Sequence, residues 1–190
     1  SALLLSSGAK AHYAYNPLTG EEIWRMDHHA QHSASTRPLV AHGNVYFSTG
    51  FGKGELIVVA ANSNGALNTE SLVWHSKRGV PKKPSMLMVK DMLFMVDDGG
   101  IGSCYDAKTG EQIWQERLAT RAGNCSASPI LANGNIYMCN EEGKTYVFKA
   151  TRELEMLAVN VLEEGCMASP AVSGNALFIR TKTHLYRIEE

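Results

Sequence analysis

Apolar residues along this chain come in short blocks, either alternating with polar ones or running apolar with β-branched and aromatic side chains. Val45-Tyr46-Phe47, Leu56-Ile57-Val58-Val59 and Tyr146-Val147-Phe148 are examples, and such blocks predict strands. Gly43-Asn44, Asn133-Gly134 and Gly174-Asn175 are tight-turn pairs suited to joining one strand to the next. No segment keeps a helical period beyond about two turns. Arg152 to Leu162 has helix-forming residues, but its place in the repeat described next predicts a strand.

The blocks recur. Ala14-Tyr15-Asn16-Pro17-Leu18-Thr19-Gly20-Glu21-Glu22-Ile23-Trp24 matches Cys104 to Trp114 without a gap, at an offset of 90. A second series begins at Arg37-Pro38 and recurs at Ser128-Pro129 and Ser169-Pro170, with a weaker copy from Pro84-Ser85. Prolines 38, 84, 129 and 170 are spaced 46, 45 and 41. A period of roughly 40–45 residues with strand content is the length of one four-stranded propeller blade. Asn16 and Asp106 can accept hydrogen bonds from the backbone two residues on, and Gly20 and Gly110 can take positive φ. Each turn thus closes a hairpin. Thr19, Gly20, Thr109 and Gly110 shape it, and Trp24 and Trp114 follow on the next strand. Trp24, Trp74 and Trp114 are the expected docking residues, each burying a large area between stacked sheets.

The predicted fold is all-β: a propeller of about four to five four-stranded antiparallel blades, forming a partial or open arc. The blades fall near 1–27, 36–77, 84–118, 127–163 and 168–190. With strands lettered A to D from the inner edge outward, the chain opens with B, C and D and ends with A, B and C. Its end blades are then expected to expose Leu3, Leu5 and Tyr13 at one end and Leu177, Ile179 and Tyr186 at the other. Apolar patches of that kind mark interfaces, so a protein partner or a second copy of the chain is expected to cover them. Two arcs arranged head to tail would satisfy both ends.

The pattern A-x-[DN]-x-x-T-G-x-x-x-W, followed by S-P, an apolar strand and a G-N turn, resembles the quinoprotein-like (pyrroloquinoline-quinone-like) β-propeller repeat. The resemblance covers essentially the whole chain. It departs at Asn62–Trp74, which carries an insertion, and at Ala150–Ala158, which lacks both Thr-Gly and Trp. Family rings usually have seven or eight blades, so the resemblance implies the C-terminal part of a longer propeller. It implies a non-catalytic scaffold for protein or ligand binding, of the barrel-assembly lipoprotein type, in a periplasmic or exported location. The alternative is a fragment of a quinone-dependent dehydrogenase whose active-site residues lie elsewhere in a longer chain. Those enzymes have an adjacent cysteine pair, an axial Trp platform and calcium-binding carboxylates. Cys104, Cys125, Cys139 and Cys166 are not adjacent, and no Glu/Asn/Asp cluster falls on the inner strands. No catalytic residue and no cofactor is therefore expected.

Composition narrows the field further. The 190 residues carry 18 Lys and Arg against 19 Asp and Glu, a net charge of −1, which is not the balance of a nucleic-acid binder. An apolar fraction of 44% is that of a folded chain rather than a disordered one. No apolar run approaches the roughly 18 residues of a spanning helix. Ser1 to Ser7 has no basic start and does not read as a signal peptide. The cysteines form no C-x-x-C and are expected as free, buried thiols. Cys125 and Cys166, at matching places before Ser128 and Ser169, are expected to lie too far apart for a disulfide.

Candidate binding residues fall on the connections between D and A strands, which would ring the channel mouth. They are His28, His29, His32, Arg37, Lys82, Lys83, Arg121 and Asn124. The basic ones suit an anion or carboxylate; as a rim of the channel they are otherwise a solvated surface. His28 and His32, four apart, would share a face of a helical turn and are weak metal candidates. Asp97-Asp98-Gly99-Gly100 lacks the spaced acidic ligands of a calcium loop and is expected to be a hairpin turn.

Overall fold

The computed structural model describes residues 2–28, 34–52 and 54–189. Among these residues, nineteen strands form five consecutive sheets and no α-helix is present. In the first sheet lie β1 (Leu4–Ser7), β2 (Ala11–Tyr15) and β3 (Glu22–Asp27). Strands β4 (Leu39–Ala41), β5 (Asn44–Ser48), β6 (Leu56–Ala60) and β8 (Leu72–Ser76) form the second. The third is β9 (Leu87–Val89), β10 (Met92–Val96), β11 (Ile101–Asp106) and β12 (Gln112–Arg117). The fourth is β13 (Ile130–Ala132), β14 (Asn135–Cys139), β15 (Lys144–Lys149) and β16 (Met156–Val161). The fifth has three strands, β17 (Ala171–Ser173), β18 (Ala176–Arg180) and β19 (Leu185–Ile188). In each sheet these strands form a meander of antiparallel neighbours. The helix-prone stretch 152–162 is strand β16, because pairing with β15 outweighs local propensity.

The insertion after β6 does something its composition does not announce. Gly65–Leu67 forms β7, which leaves the second sheet and pairs in parallel with β3, Trp24 opposite Gly65 and Met26 opposite Leu67. The first sheet therefore has four strands, with β7 at its outer edge. A 3-10 turn at Thr69–Ser71, capped by Asn68, returns the chain to β8.

The Thr-Gly hairpins are closed as their residues dictate. Asn16 Oδ1 accepts the Leu18 N–H at 2.9 Å, and Asp106 Oδ1 accepts those of Lys108 and Thr109 at 3.0 Å. Gly20 and Gly110 both have φ of 75°, where a side chain would be strained.

Stacking the sheets builds the core. Trp24, Ala14 and Met26 meet Phe47, Val45 and Val59 across the first junction. Tyr46, Val58 and Trp74 meet Leu93, Met95 and Tyr105 across the second. Phe94, Cys104 and Trp114 meet Ile136, Tyr146 and Phe148 across the third. The fourth junction is thinner: Ala127 and Cys139 against Cys166 and Ile179. Leu3 and Leu5 pack into the first junction and Leu177 into the fourth. The expected exposed end faces are thus corrected. One residue of register decides which face of a strand is covered, and it turns Leu3, Leu5, Leu177 and Ile179 inward. Tyr186, opposite Ile179, shares its face. Tyr13, opposite Ser6, stays on the outer face, with Leu4 and Tyr15 beside it. At the other end the outer face carries Phe178 and Leu185, opposite Arg187 and Arg180.

At the axis, β9 packs beside both β4 and β13, so the A strands are innermost. A chain of hydrogen bonds ties their starts together. The Arg37 N–H donates to Ser85 Oγ at 3.0 Å, the Ser85 N–H to Ser128 Oγ at 2.9 Å, and the Ser128 N–H to Ser169 Oγ at 2.8 Å. This fixes the true register of the repeat. Ser85, not Pro84, is the equivalent of Arg37, and buried Met86 stands where Pro38, Pro129 and Pro170 stand elsewhere.

Candidate functional site

The D-to-A connections and the turns between B and C strands share one end of the molecule, and there loops from different sheets bond to one another. The Lys82 backbone N–H donates to Asp98 Oδ2 at 2.8 Å, and its ammonium lies 5.7 Å from the Phe51 ring centre. Lys83 Nζ donates to Glu141 Oε1 at 2.9 Å and sits 3.9 Å from Asp98 Oδ1. Glu141 also accepts from the Ser126 hydroxyl, and its backbone N–H donates to the Asn124 carbonyl at 2.8 Å. The hydrogen bonds from Ser126 and Lys83 hold the Glu141 carboxyl below its ordinary pKa. The acidic turn 97–100 is a hairpin turn: Asp97 Oδ1 accepts the Gly99 and Ile101 N–H groups at 2.8 and 2.9 Å.

The structure thus gathers Lys82, Lys83 and Asn124 of the candidate rim around two carboxylates, Asp98 of the expected hairpin turn and Glu141, which had no place among the sequence expectations. Arg37 enters the axial hydrogen-bond chain through its backbone, and its side chain, like that of Arg121, lies at the surface. His29 and His32 lie outside the described residues. His28 is away from this cluster, on the first sheet, with Nε2 3.1 Å from the Gly8 carbonyl oxygen. Its neighbour is His12, whose ring centre is 4.6 Å away. His12 is fully buried, stacks on Phe47 at 4.2 Å, and has no hydrogen-bond partner at either ring nitrogen. Burial first, and His28 second, lower its pKa to about 3. Among the described residues no group of three or more potential metal ligands is assembled.

Two hollows flank the cluster. One of about 250 Å³ is bordered by Lys77, Lys82, Asp97 and Asp98, and one of about 460 Å³ by Glu141, Met167, Arg180 and Lys182. The four cysteines are free and buried, and burial pushes the Cys104, Cys125 and Cys139 thiols up to about 12. Cys166 shares a cluster with Cys139.

The expected docking residues occupy equivalent places. Trp24, Trp74 and Trp114 lie opposite Ala14, Val58 and Cys104, and each ladder slips its register at the next residue. Trp74 stacks beside Tyr105 of the following sheet, and its N–H donates to Ala107 O at 2.9 Å. The Trp114 N–H donates to Thr151 O at 3.3 Å. Gly110 leaves room for Trp74: a Cβ there would sit 2.6 Å from the indole. The serine chain had no counterpart in the sequence expectations, although the Ser before Pro at 128 and 169 was an available signal for it.

Meandering four-stranded sheets fanned around an axis, with an indole of one sheet set against the next, define a β-propeller built from quinoprotein-like repeats. Residues 1–190 match the PQQ_2 family, described as outer membrane protein assembly factor BamB, and the chain belongs to that family. A curated relative from Legionella pneumophila (strain Paris), named outer membrane protein assembly factor BamB, is 24% identical over 144 residues, which are 76% of this chain and 34% of the relative. The crystal structure of BamB from Moraxella catarrhalis superposes with a TM-score of 0.75 at 16% identity, covering 99% of this chain and 58% of that one. The computationally designed Ika8 protein has a TM-score of 0.74 at 12% identity, covering 99% and 56%. The chain thus spans about a third of the curated relative and somewhat over half of these two structures. The structural likenesses show the shared fold.

Proposed function

We propose that these residues form part of a non-catalytic, exported scaffold that presents its loop end to a protein partner in the assembly of outer membrane proteins. The observation that carries this reading is the family match over all 190 residues. The site's chemistry supports it. Asp98 and Glu141, the two carboxylates at the centre of this cluster, are engaged in joining loops of successive sheets, which is a positioning role. Exposed loops held by rigid sheets are natural interaction surfaces, and Arg37, Arg121 and Lys83 are exposed on them. The quinone-dependent dehydrogenase reading has no comparable support from these residues.

The test uses the full-length protein with a photo-crosslinking residue at position 121 or 37. Adducts with a component of the outer-membrane assembly apparatus are expected, and none from a position on the opposite end such as Leu18. Dye reduction that depends on added quinone and calcium, or equal crosslinking from both ends, would overturn the proposal.

A further inference from the structure

The fourth junction is the one that the repeat leaves least braced. At the other three, Trp24, Trp74 and Trp114 stand on the last strand of their meander, just before the ladder slips. The fourth sheet slips at the same place, between Val147 and Phe148, but Ala158 stands opposite Val147. A pair of thiols meets at this junction instead. Cys139 ends β14, and Cys166 lies on the connection to the fifth sheet. Both are buried, in one small cluster with Ala127 and Ile179.

The repeat singles this pair out from the other cysteines. Cys125 and Cys166 each stand three residues before the Ser of a Ser-Pro unit, and Val96 and Cys139 each end the second strand of their meander. The third junction accordingly sets Val96 in the same cluster as Cys125, a valine where the fourth has a thiol. Cys139 Sγ lies 3.4 Å from Thr145 Oγ1, and the Cys166 thiol donates to Ala168 O at 3.3 Å. The two thiols are hydrogen-bonding neighbours; burial first, and Cys166 among the lesser causes, raise the Cys139 pKa.

We propose that Cys139 and Cys166 form a disulfide that clamps the fourth sheet to the fifth when an organic disulfide serves as oxidant. Formation of the bond is independent of the scaffold reading; its persistence draws on the exported location, where thiols are not kept reduced. The Cys166 thiolate attacks one sulfur of the external disulfide and releases one thiolate. The Cys139 thiolate then attacks the Cys166 sulfur of the mixed disulfide and releases the second. The two protons lost by the cysteines go to the released thiolates, so two protein thiols are oxidised and one external disulfide is reduced. Cys166 is the entry point, because Met167 beside it is 68% exposed and a connection opens without unpairing strands. The connection is itself tied to the turn after β18. Gly165 O accepts the Lys182 N–H at 3.0 Å, and Glu164 Oε2 accepts the Thr183 N–H at 3.2 Å. The bond thus links β14 through the connection to the fifth sheet.

The experiment treats the full-length protein with millimolar glutathione disulfide, alkylates the remaining thiols in denaturant and maps the peptides by mass. A linked pair carrying Cys139 and Cys166, two hydrogens lighter than its separate peptides, is expected, with Cys104 and Cys125 alkylated. The thermal midpoint is expected to rise by several degrees over the reduced protein, and Cys166→Ser to lose that rise. Cys139 and Cys166 both alkylated, either one linked to another cysteine, or a midpoint that the oxidant leaves unchanged overturns the proposal. Should Cys166→Ser fail to fold, adding a reductant to the oxidised, unmodified protein decides. The midpoint is expected to fall back, and one that stays raised overturns the proposal.

Discussion

Trp24, Trp74 and Trp114 do similar work under different polar constraints. Trp74 and Trp114 find a carbonyl of the next sheet, whereas Trp24 Nε1 is buried without a partner. In the following sheet the insertion stands where a Thr-Gly turn would bring such a carbonyl. Trp74→Ala should therefore cost about 3–5 kcal/mol, the range for a buried large aromatic, measured by denaturant unfolding. His12 makes a second residue-scale prediction. Its pKa in the folded protein, about 3, is below the unfolded value near 6.5. As pH falls below 6.5 the unfolded chain takes up a proton that the folded one refuses. Stability should therefore drop by up to about 1.4 kcal/mol per pH unit, flattening near pH 3. His12→Phe should remove the slope between pH 6.5 and 5, where carboxylates contribute little. An unchanged slope in that variant would show that His12 is not the group responsible.

At the scale of elements, what could be read from sequence was what is locally encoded. Thr19-Gly20 and Thr109-Gly110 carry their turn in four or five residues, and Val45-Tyr46-Phe47 carries its strand. Strand β7 could not be read, because Gly65-Ala66-Leu67 has no strand signal and takes its form from β3, about forty residues earlier in the chain. The candidate rim was partly legible for the same reason. Lys82 and Lys83 stand out as charges, but Lys83 meets Glu141 58 residues away, and that distance has no local signature. Likewise His12 looks like any strand residue until stacking closes over it. β7 is also open to test. Ala66→Pro removes a backbone donor and breaks the parallel pairing. Amide exchange along Glu22–Asp27 should then rise while the third and fourth sheets keep their protection, because local opening is cooperative only within its own unit.

For the whole molecule, the decisive fact is that each sheet is built to be covered on both sides. At inner junctions this holds: Leu93, Phe94 and Met95 on consecutive positions of β10 are all buried, 0%, 1% and 0% exposed, because a sheet lies against each face. The first and last sheets each have one face without that cover. Leu4 is 55% exposed beside Tyr13 and Tyr15, whose rings stack at 5.7 Å. Leu185 is 70% exposed at the other end, on the face that carries Phe178, Arg180 and Arg187. An aromatic face at one end and an arginine-bearing apolar face at the other complement each other, since guanidinium groups settle on aromatic rings. The 190 residues by themselves should therefore associate head to tail, each first sheet meeting a partner's last. Light scattering is expected to give a mass above the 20.7 kDa of one chain. Tyr13→Glu should return it to a monomer with unchanged far-ultraviolet dichroism and with increased binding of an apolar dye. If the unmodified chain is a stable monomer that binds no such dye, its end faces are satisfied from within and the head-to-tail arrangement is wrong.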